Sequence, residues 1–205
     1  MRNLYWLCFA LVGCDTSSED QTTLSNTMHG VTVSIGVPAV MEVTLASAQV
    51  AADGSGIGQD VSASSGGLEV TGESSEWDLK KGTVRFSGDV VAVRQDVVLR
   101  TEQLLLTYSG EKITTAVTTG GVVLTRDDLT VTGETATLTV SSGEITVTGN
   151  PLVTQGASRL EGNRVTVFLD DDRIVCEKCR VQVQEAALSP IKKAETVSDK
   201  EPIDE

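Results

Sequence analysis

This 205-residue chain is poor in aromatic residues, in histidine and in positive charge. Aromatics make up 3% of it, and Tyr5, Trp6 and Phe9 fall in the first thirteen residues, leaving Trp77, Phe86, Tyr108 and Phe168 for the body. These are too few for a thick multilayer core; a thin sandwich lined by Val, Leu and Ile is expected instead. Lys and Arg number 16 against 29 Asp and Glu, a formal charge of −13, and the arginines stand singly among acids. A nucleic-acid partner needs a basic footprint, so none is expected. His29 is the only histidine. With no Gly-x-Ser-x-Gly turn in the chain it supports no hydrolase triad and reads as a solvated side chain. Carboxylates are plentiful, but no aromatic sugar platform accompanies them. No catalytic residue, metal or cofactor is assigned, and an enzyme acting on envelope polysaccharide is a remote third reading.

What the chain does have is repetition. Hydrophobic content of 40% is enough for a core and excludes disorder throughout. The stretch from Leu129 to Ala157, LTVTGETATLTVSSGEITVTGNPLVTQGA, sets short Val, Leu, Ile and Thr runs between breaks at Gly133, Ser141-Ser142-Gly143 and Gly149-Asn150-Pro151. That is the pattern of half-buried strands and tight turns. Related copies occupy Leu68 to Gln95, Val98 to Asp128 and Ser158 to Val183. Gly72, Thr101, Gly133 and Gly162 mark one corner of the unit at intervals of 29, 32 and 29, and Gly88, Gly120 and Gly149 mark the other at 32 and 29. Units of about thirty residues with two strands and two turns bury their apolar faces only by stacking. Fold class is therefore all-β, an antiparallel sandwich or jelly roll of stacked two-strand repeats.

On the clearest strands one parity is apolar and the other is Thr or charged. The expected inward set is Leu104, Leu106 and Tyr108; Leu138 and Val140; Ile145 and Val147; and Val165, Val167 and Leu169. Val90 to Val93 and Val122 to Leu124 are apolar on both parities, which leaves their inward face open. With no catalytic constellation, the apolar interior itself is the candidate site. A β-stack whose inner faces do not close together presents a greasy groove, and each buried methylene contributes roughly 0.8 kcal/mol. Several fatty chains would then be held with no polar site. The competing reading is a structural or adhesive β-repeat envelope lipoprotein with a closed core and no ligand.

The ends carry separate signals. Arg2 precedes a nine-residue apolar run from Leu4 to Val12, too short to span a bilayer and of secretory-signal size. The run ends in Leu11-Val12-Gly13-Cys14, which resembles a bacterial lipobox, so residues 1–13 are expected to be cleaved and Cys14 lipidated, against the alternative of an ordinary signal cleaved nearby. Asp15 resembles the inner-membrane retention signal, with the outer membrane the alternative. Residues 14–28 read as a flexible tether, 29–184 as the β domain and 185–205 as a disordered acidic tail broken by Pro190 and Pro202. Gly56-Ile57-Gly58-Gln59-Asp60 matches one unit of a calcium-binding β-roll, which works only in tandem, so Asp53 to Asp60 reads as a flexible loop. Asp170-Asp171-Asp172 reads as a hairpin turn before it reads as a cation site. Of four cysteines, Cys8 leaves with the signal and Cys14 takes lipid; Cys176 and Cys179 favour a disulfide across a turn over free thiols, zinc or redox work.

The repeats resemble a known family. FSGDVVAVRQD, LRTEQLLLTY and the run from Leu129 to Val175 are similar to the OstA-like lipopolysaccharide-transport proteins, LptA and LptC, of the periplasm. The matching residues are Gly149, Asn150, Pro151, Val153, Gln155 and Gly156, then Leu160, Gly162, Asn163 and Phe168. The resemblance implies a V-shaped antiparallel β-jelly roll whose lining holds lipid A acyl chains. It further implies end strands that join other jelly-roll transport proteins edge to edge in a bridge from inner to outer membrane. A lipid anchor would give an LptC-like station, whereas the C-terminal repeats are more LptA-like; the Cys176/Cys179 pair and the acidic tail fit neither pattern.

Overall fold

The structure is a computed structural model that describes residues 27–36, 39–169, 171, 173–183 and 194–197. Among these the strands are β1 (Thr27–Ile35), β2 (Met41–Val50), β3 (Gly56–Ser65), β4 (Leu68–Asp78), β5 (Thr83–Arg94), β6 (Val97–Ser109), β7 (Lys112–Arg126) and β8 (Leu129–Gly133). They continue with β9 (Thr135–Thr139), β10 (Glu144–Thr148), β11 (Leu152–Gln155), β12 (Ser158–Glu161), β13 (Arg164–Phe168), β14 (Arg173–Glu177), β15 (Arg180–Val183) and β16 (Ala194–Val197). No helix among the described residues is long and apolar enough to cross a membrane.

The sheet runs β1 to β7 in sequence order and then forks. Val122–Arg126 of β7 pairs with β8, which leads to β11, β12 and β15. Thr115–Val117 of the same strand pairs with β9, which leads to β10, β13 and β14. The two branches are the two leaves of one sheet folded on itself: a first leaf carrying β8, β11, β12 and β15, and a second carrying β9, β10, β13 and β14. Strands β8 and β9, β10 and β11, β12 and β13, and β14 and β15 are each one strand interrupted at the fold, with Glu134 the sole break in the first case.

This changes the meaning of the glycine repeat. Gly133 and Gly149-Asn150 lie in mid-strand rather than at hairpin turns. The two sets of corner residues fall on one crease that crosses the whole sheet. In β4 to β7 the crease is a line of register shifts, between Thr71 and Ser74, Ser87 and Val90, and Thr101 and Gln103. Two devices recur along it. Gly88, Gly120 and Gly149 have φ of 79°, 85° and 78°, a backbone that L side chains rarely adopt, and each lies under the glutamate before the facing strand resumes: Glu73, Glu102 and Glu134. A Cβ at Gly120 would lie 2.6 Å from Glu102 Cβ. Thr101 replaces glycine in one copy, and its buried hydroxyl donates to Gly121 O at 2.7 Å across the bend. The hairpin turns stand at the two rims, where Gly66-Gly67, Gln95-Asp96 and Asp127-Asp128 close the first leaf and Gly110-Glu111 and Ser141-Ser142-Gly143 close the second.

Other expectations need correction. Gly56–Asp60 opens strand β3 instead of forming a flexible loop, because bulky neighbours cover it: a Cβ at Gly58 would lie 2.6 Å from Leu45 Cδ2, and Trp77 lies over Gly56. The turn just before it is held by Asp53, whose Oδ1 accepts Ser55 N–H at 3.1 Å and Ser55 Oγ–H at 2.6 Å. Those bonds lower its pKa to about 2. The first strand starts at Thr27, two residues inside the expected tether, and Ala194–Val197 forms a strand within the segment expected to be disordered. The signal, Cys14, Asp15, Asp170 and Asp172 lie outside the described residues.

Both core clusters sit between the leaves. One joins Ile35, Leu45, Val70 and Val90 to Trp77, Phe86, Leu104 and Leu106; the other joins Leu124, Val131 and Leu160 to Val147, Val165, Val167 and Ile174. The runs that parity left open resolve inward at Val90, Ala92, Val122 and Leu124, with Val123 turned out. Gly149→Ala, which forces a Cβ into positive φ beneath Glu134, is expected to cost roughly 2 to 4 kcal/mol in urea denaturation by adding overpacking to backbone strain. Gly66→Ala, with nothing within 4 Å of its Cβ, is expected to cost about 1 kcal/mol.

Candidate functional site

Where the two core clusters meet, their packing is incomplete. Leu99 and Leu138 are half-buried and border both. Between them opens a cavity of about 390 Å³. Its first-leaf wall is Leu68, Ala92, Val97 and Leu99, and its second-leaf wall Leu104, Leu106, Ile113, Ala116, Ala136, Leu138, Val140, Ile145 and Leu169. The cause is residue size: inward positions here are alanine at Ala92, Ala116 and Ala136. Leaves of a sandwich stay about 10 Å apart, so small residues facing each other across them leave a void.

The polar groups in the wall serve the fold. Thr118 is buried, and its Oγ1 accepts the Ala136 N–H at 2.7 Å where β7 forks. The mouth lies between the rims, edged by Ser65, Gly66, Gln95 and Asp96 on one side and Glu111, Lys112 and Gly143 on the other. Arg126 spans it. Its Nε donates to Asp96 Oδ2 at 2.6 Å on its own rim, and a guanidinium N–H reaches Leu169 O at 3.1 Å on the opposite rim. The hydrogen bond from Arg126 holds the Asp96 carboxyl below its ordinary pKa. A depressed carboxylate pKa means that this interaction is fully present above the ordinary value near 3.9. It fades only as pH falls through the lower folded value, so the clasp is intact at neutral pH. In Arg126→Ala, an NMR titration of the Asp96 carboxyl is expected to return toward the ordinary carboxylate range.

Of the nine sequence-assigned lining residues, Leu104, Leu106, Leu138, Val140, Ile145 and Leu169 are brought together at this cavity. Val147, Val165 and Val167 are not: they are at most 2% exposed and fill the C-terminal core. Parity placed all nine between the leaves but could not tell packed from open positions. The alanines and Leu99 went unnoticed because small residues carry no sign of a void until their neighbours are known. Cys176 and Cys179 are joined as a disulfide with Cα atoms 6.0 Å apart. It sits at the crease over Gly162, where a Cβ would lie 2.6 and 2.8 Å from the two sulfurs. Among the described residues no group of three His, Cys, Asp or Glu side chains is placed to hold a metal.

The comparisons with known proteins fall on this architecture. The model of the family described as LptA/(LptD N-terminal domain) LPS transport protein matches residues 69–173, just over half of the chain. The chain belongs to that family. The match runs from β4 to the start of β14 and takes in the crease from β4 to β13 and all of the cavity wall except Ser65, Gly66 and Leu68. A search of curated proteins finds no match. Among solved structures, LptH of Pseudomonas aeruginosa, described as the LptA homologous periplasmic component of the conserved lipopolysaccharide transport device, superposes with a TM-score of 0.53. Identity is 15%, and the match covers 57% of this chain and 94% of LptH. Like that LptA homologue, this LptA/LptD-type chain is an all-β jelly roll.

Proposed function

We propose that this LptA/LptD-family protein binds lipopolysaccharide by its lipid A acyl chains, held in the cavity between the leaves, and passes it along an inner-to-outer membrane bridge of jelly rolls. The observation that carries the reading is the cavity: aliphatic on both walls, with Leu99, Leu138 and Val140 left half-buried, and open along the rim. In this reading Cys14 carries the lipid anchor, the body stands in the periplasm, and Asp15 favours the inner membrane. Edge strands provide the contact with neighbouring jelly rolls.

The volume bears on how the ligand is held. About 390 Å³ is at the small end of the roughly 300–1,000 Å³ of ligand sites, the size for one slender chain rather than the several expected from the sequence. Holding more requires the leaves to part, and the Arg126 bridge to Leu169 O is a hydrogen bond that such parting would break. Burying about ten methylenes contributes roughly 8 kcal/mol, against at least about 4 kcal/mol for association. The grip that remains is modest, which suits a carrier that must release what it takes.

Ala116→Phe tests the reading. The ring fills the cavity without adding charge, and a dansyl fatty acid that the wild-type chain binds and lipopolysaccharide displaces is expected to lose at least about tenfold in affinity. Circular dichroism checks that the variant is folded. A folded variant that binds as well as wild type removes the cavity from the site, and a wild-type chain that binds no acyl probe supports the closed-core structural reading.

A further inference from the structure

The two ends of the sheet are finished differently. At the start, β1 pairs with β2 and, among the described residues, no other strand lies along its second edge. It is kinked like the rest, at Gly30 with φ of 63°, where the register passes from His29 to Val31. At the other end, the last kinked strand is β14 and β15, with the bend at Lys178 and Cys179. Among the described residues its β15 half pairs with β12 alone, and no strand lies along its second edge. Its β14 half is covered by β16, which runs parallel to it with Ile174 facing Ala194 and Glu177 facing Val197.

That parallel direction is informative, because every other pairing among the described residues is antiparallel. Strand direction alternates across the sheet. The first kinked strand and the last both run from the second leaf to the first. A second copy that continued both leaves would therefore lay its β1 parallel to β14 and β15, with the half before its kink, ending at His29, against β14. The chain's own β16 lies in that place and direction and ends beside Glu177, the last residue of β14. Ten residues separate Val183 from Ala194, and a chain of that length reaches at most about 35 Å, about the length of the eleven residues from Arg173 to Val183 in extended form.

We propose that Ala194–Val197 is an intramolecular cap on the C-terminal edge, standing in for the first strand of a second copy and holding head-to-tail assembly in check. The inference rests on the reading that edges join jelly rolls, and it adds how this chain regulates the joint. A cap of four residues in parallel pairing is weak. A second copy's β1 can engage both halves of the edge, with the five residues of β14 and the four of β15 available to it. The open β15 half lets Val31–Ile35 of that copy seat first and then displace the cap, so assembly proceeds once local concentration is high enough.

The test keeps the full chain and substitutes Glu195→Pro and Thr196→Pro together, which removes two N–H donors and ejects β16 from the ladder. Amide hydrogen exchange of wild type is expected to show protection at 194–197 that the variant loses. In sedimentation velocity the variant is expected to self-associate at least about tenfold more tightly, a difference of about 1.4 kcal/mol. A photo-crosslinker at His29 is expected to reach residues 173–183 of another copy. Fast exchange at 194–197 in wild type overturns the cap. Equal, strong self-association of wild type and variant overturns the cap while leaving edge joining intact. Release of the tail with no gain in association overturns the cap and the edge-joining reading together.

Discussion

The structure depends on one crease. A single antiparallel sheet this wide, apolar on one face, cannot leave that face in water; it must find a second layer. This chain supplies the layer by folding every strand across the middle. Doing so on consecutive strands needs backbone that bends the same way in each, and the chain meets the need with glycine at positive φ, a glutamate laid over it, or Thr101 bonding across the gap. At the C-terminal end, where no glycine follows Gly162, the disulfide of Cys176 and Cys179 occupies the bend.

Folding by crease also decides where room is left. Near the bend the leaves converge, and the large side chains Trp77, Phe86, Leu124 and Leu160 are sealed there or toward the ends of the stack. In the middle, three inward alanines and half-buried leucines leave the leaves apart, and the gap runs out to the rims. Architecture and candidate site are thus one feature: the same inward parity that makes the core makes the cavity, and residue size alone decides which it is. The Arg126 bridge to Leu169 O is a polar contact between the rims that a widening of the gap there would give up.

Fold class was legible in the sequence because period-two alternation and a thirty-residue repeat are both local patterns. Leu104, Leu106, Leu138 and Ile145 read as inward from their own neighbours, and they are inward. The crease was not legible. Gly133 and Gly149 have the composition of turns, and only the pairing of Gly133 with Val122 across the sheet shows that the chain continues straight through. Gly56 and Gly58 likewise resemble a loop until Trp77 and Leu45 are seen lying over them. The division of the nine lining residues into six at the cavity and three in the core depends on what faces them from the other leaf, and a strand's own sequence does not contain that.

On the proposed reading, lipid sits in the middle of the sandwich and not at its C-terminal end. A photo-reactive residue at Leu138, compared with one at Val167, tests this most directly in cells that make lipopolysaccharide. Leu138 is half-buried at the cavity and Val167 is sealed in the core. Lipopolysaccharide is expected to crosslink at Leu138 and not at Val167. Crosslinking at Val167, or at neither position in a folded protein, would contradict that reading.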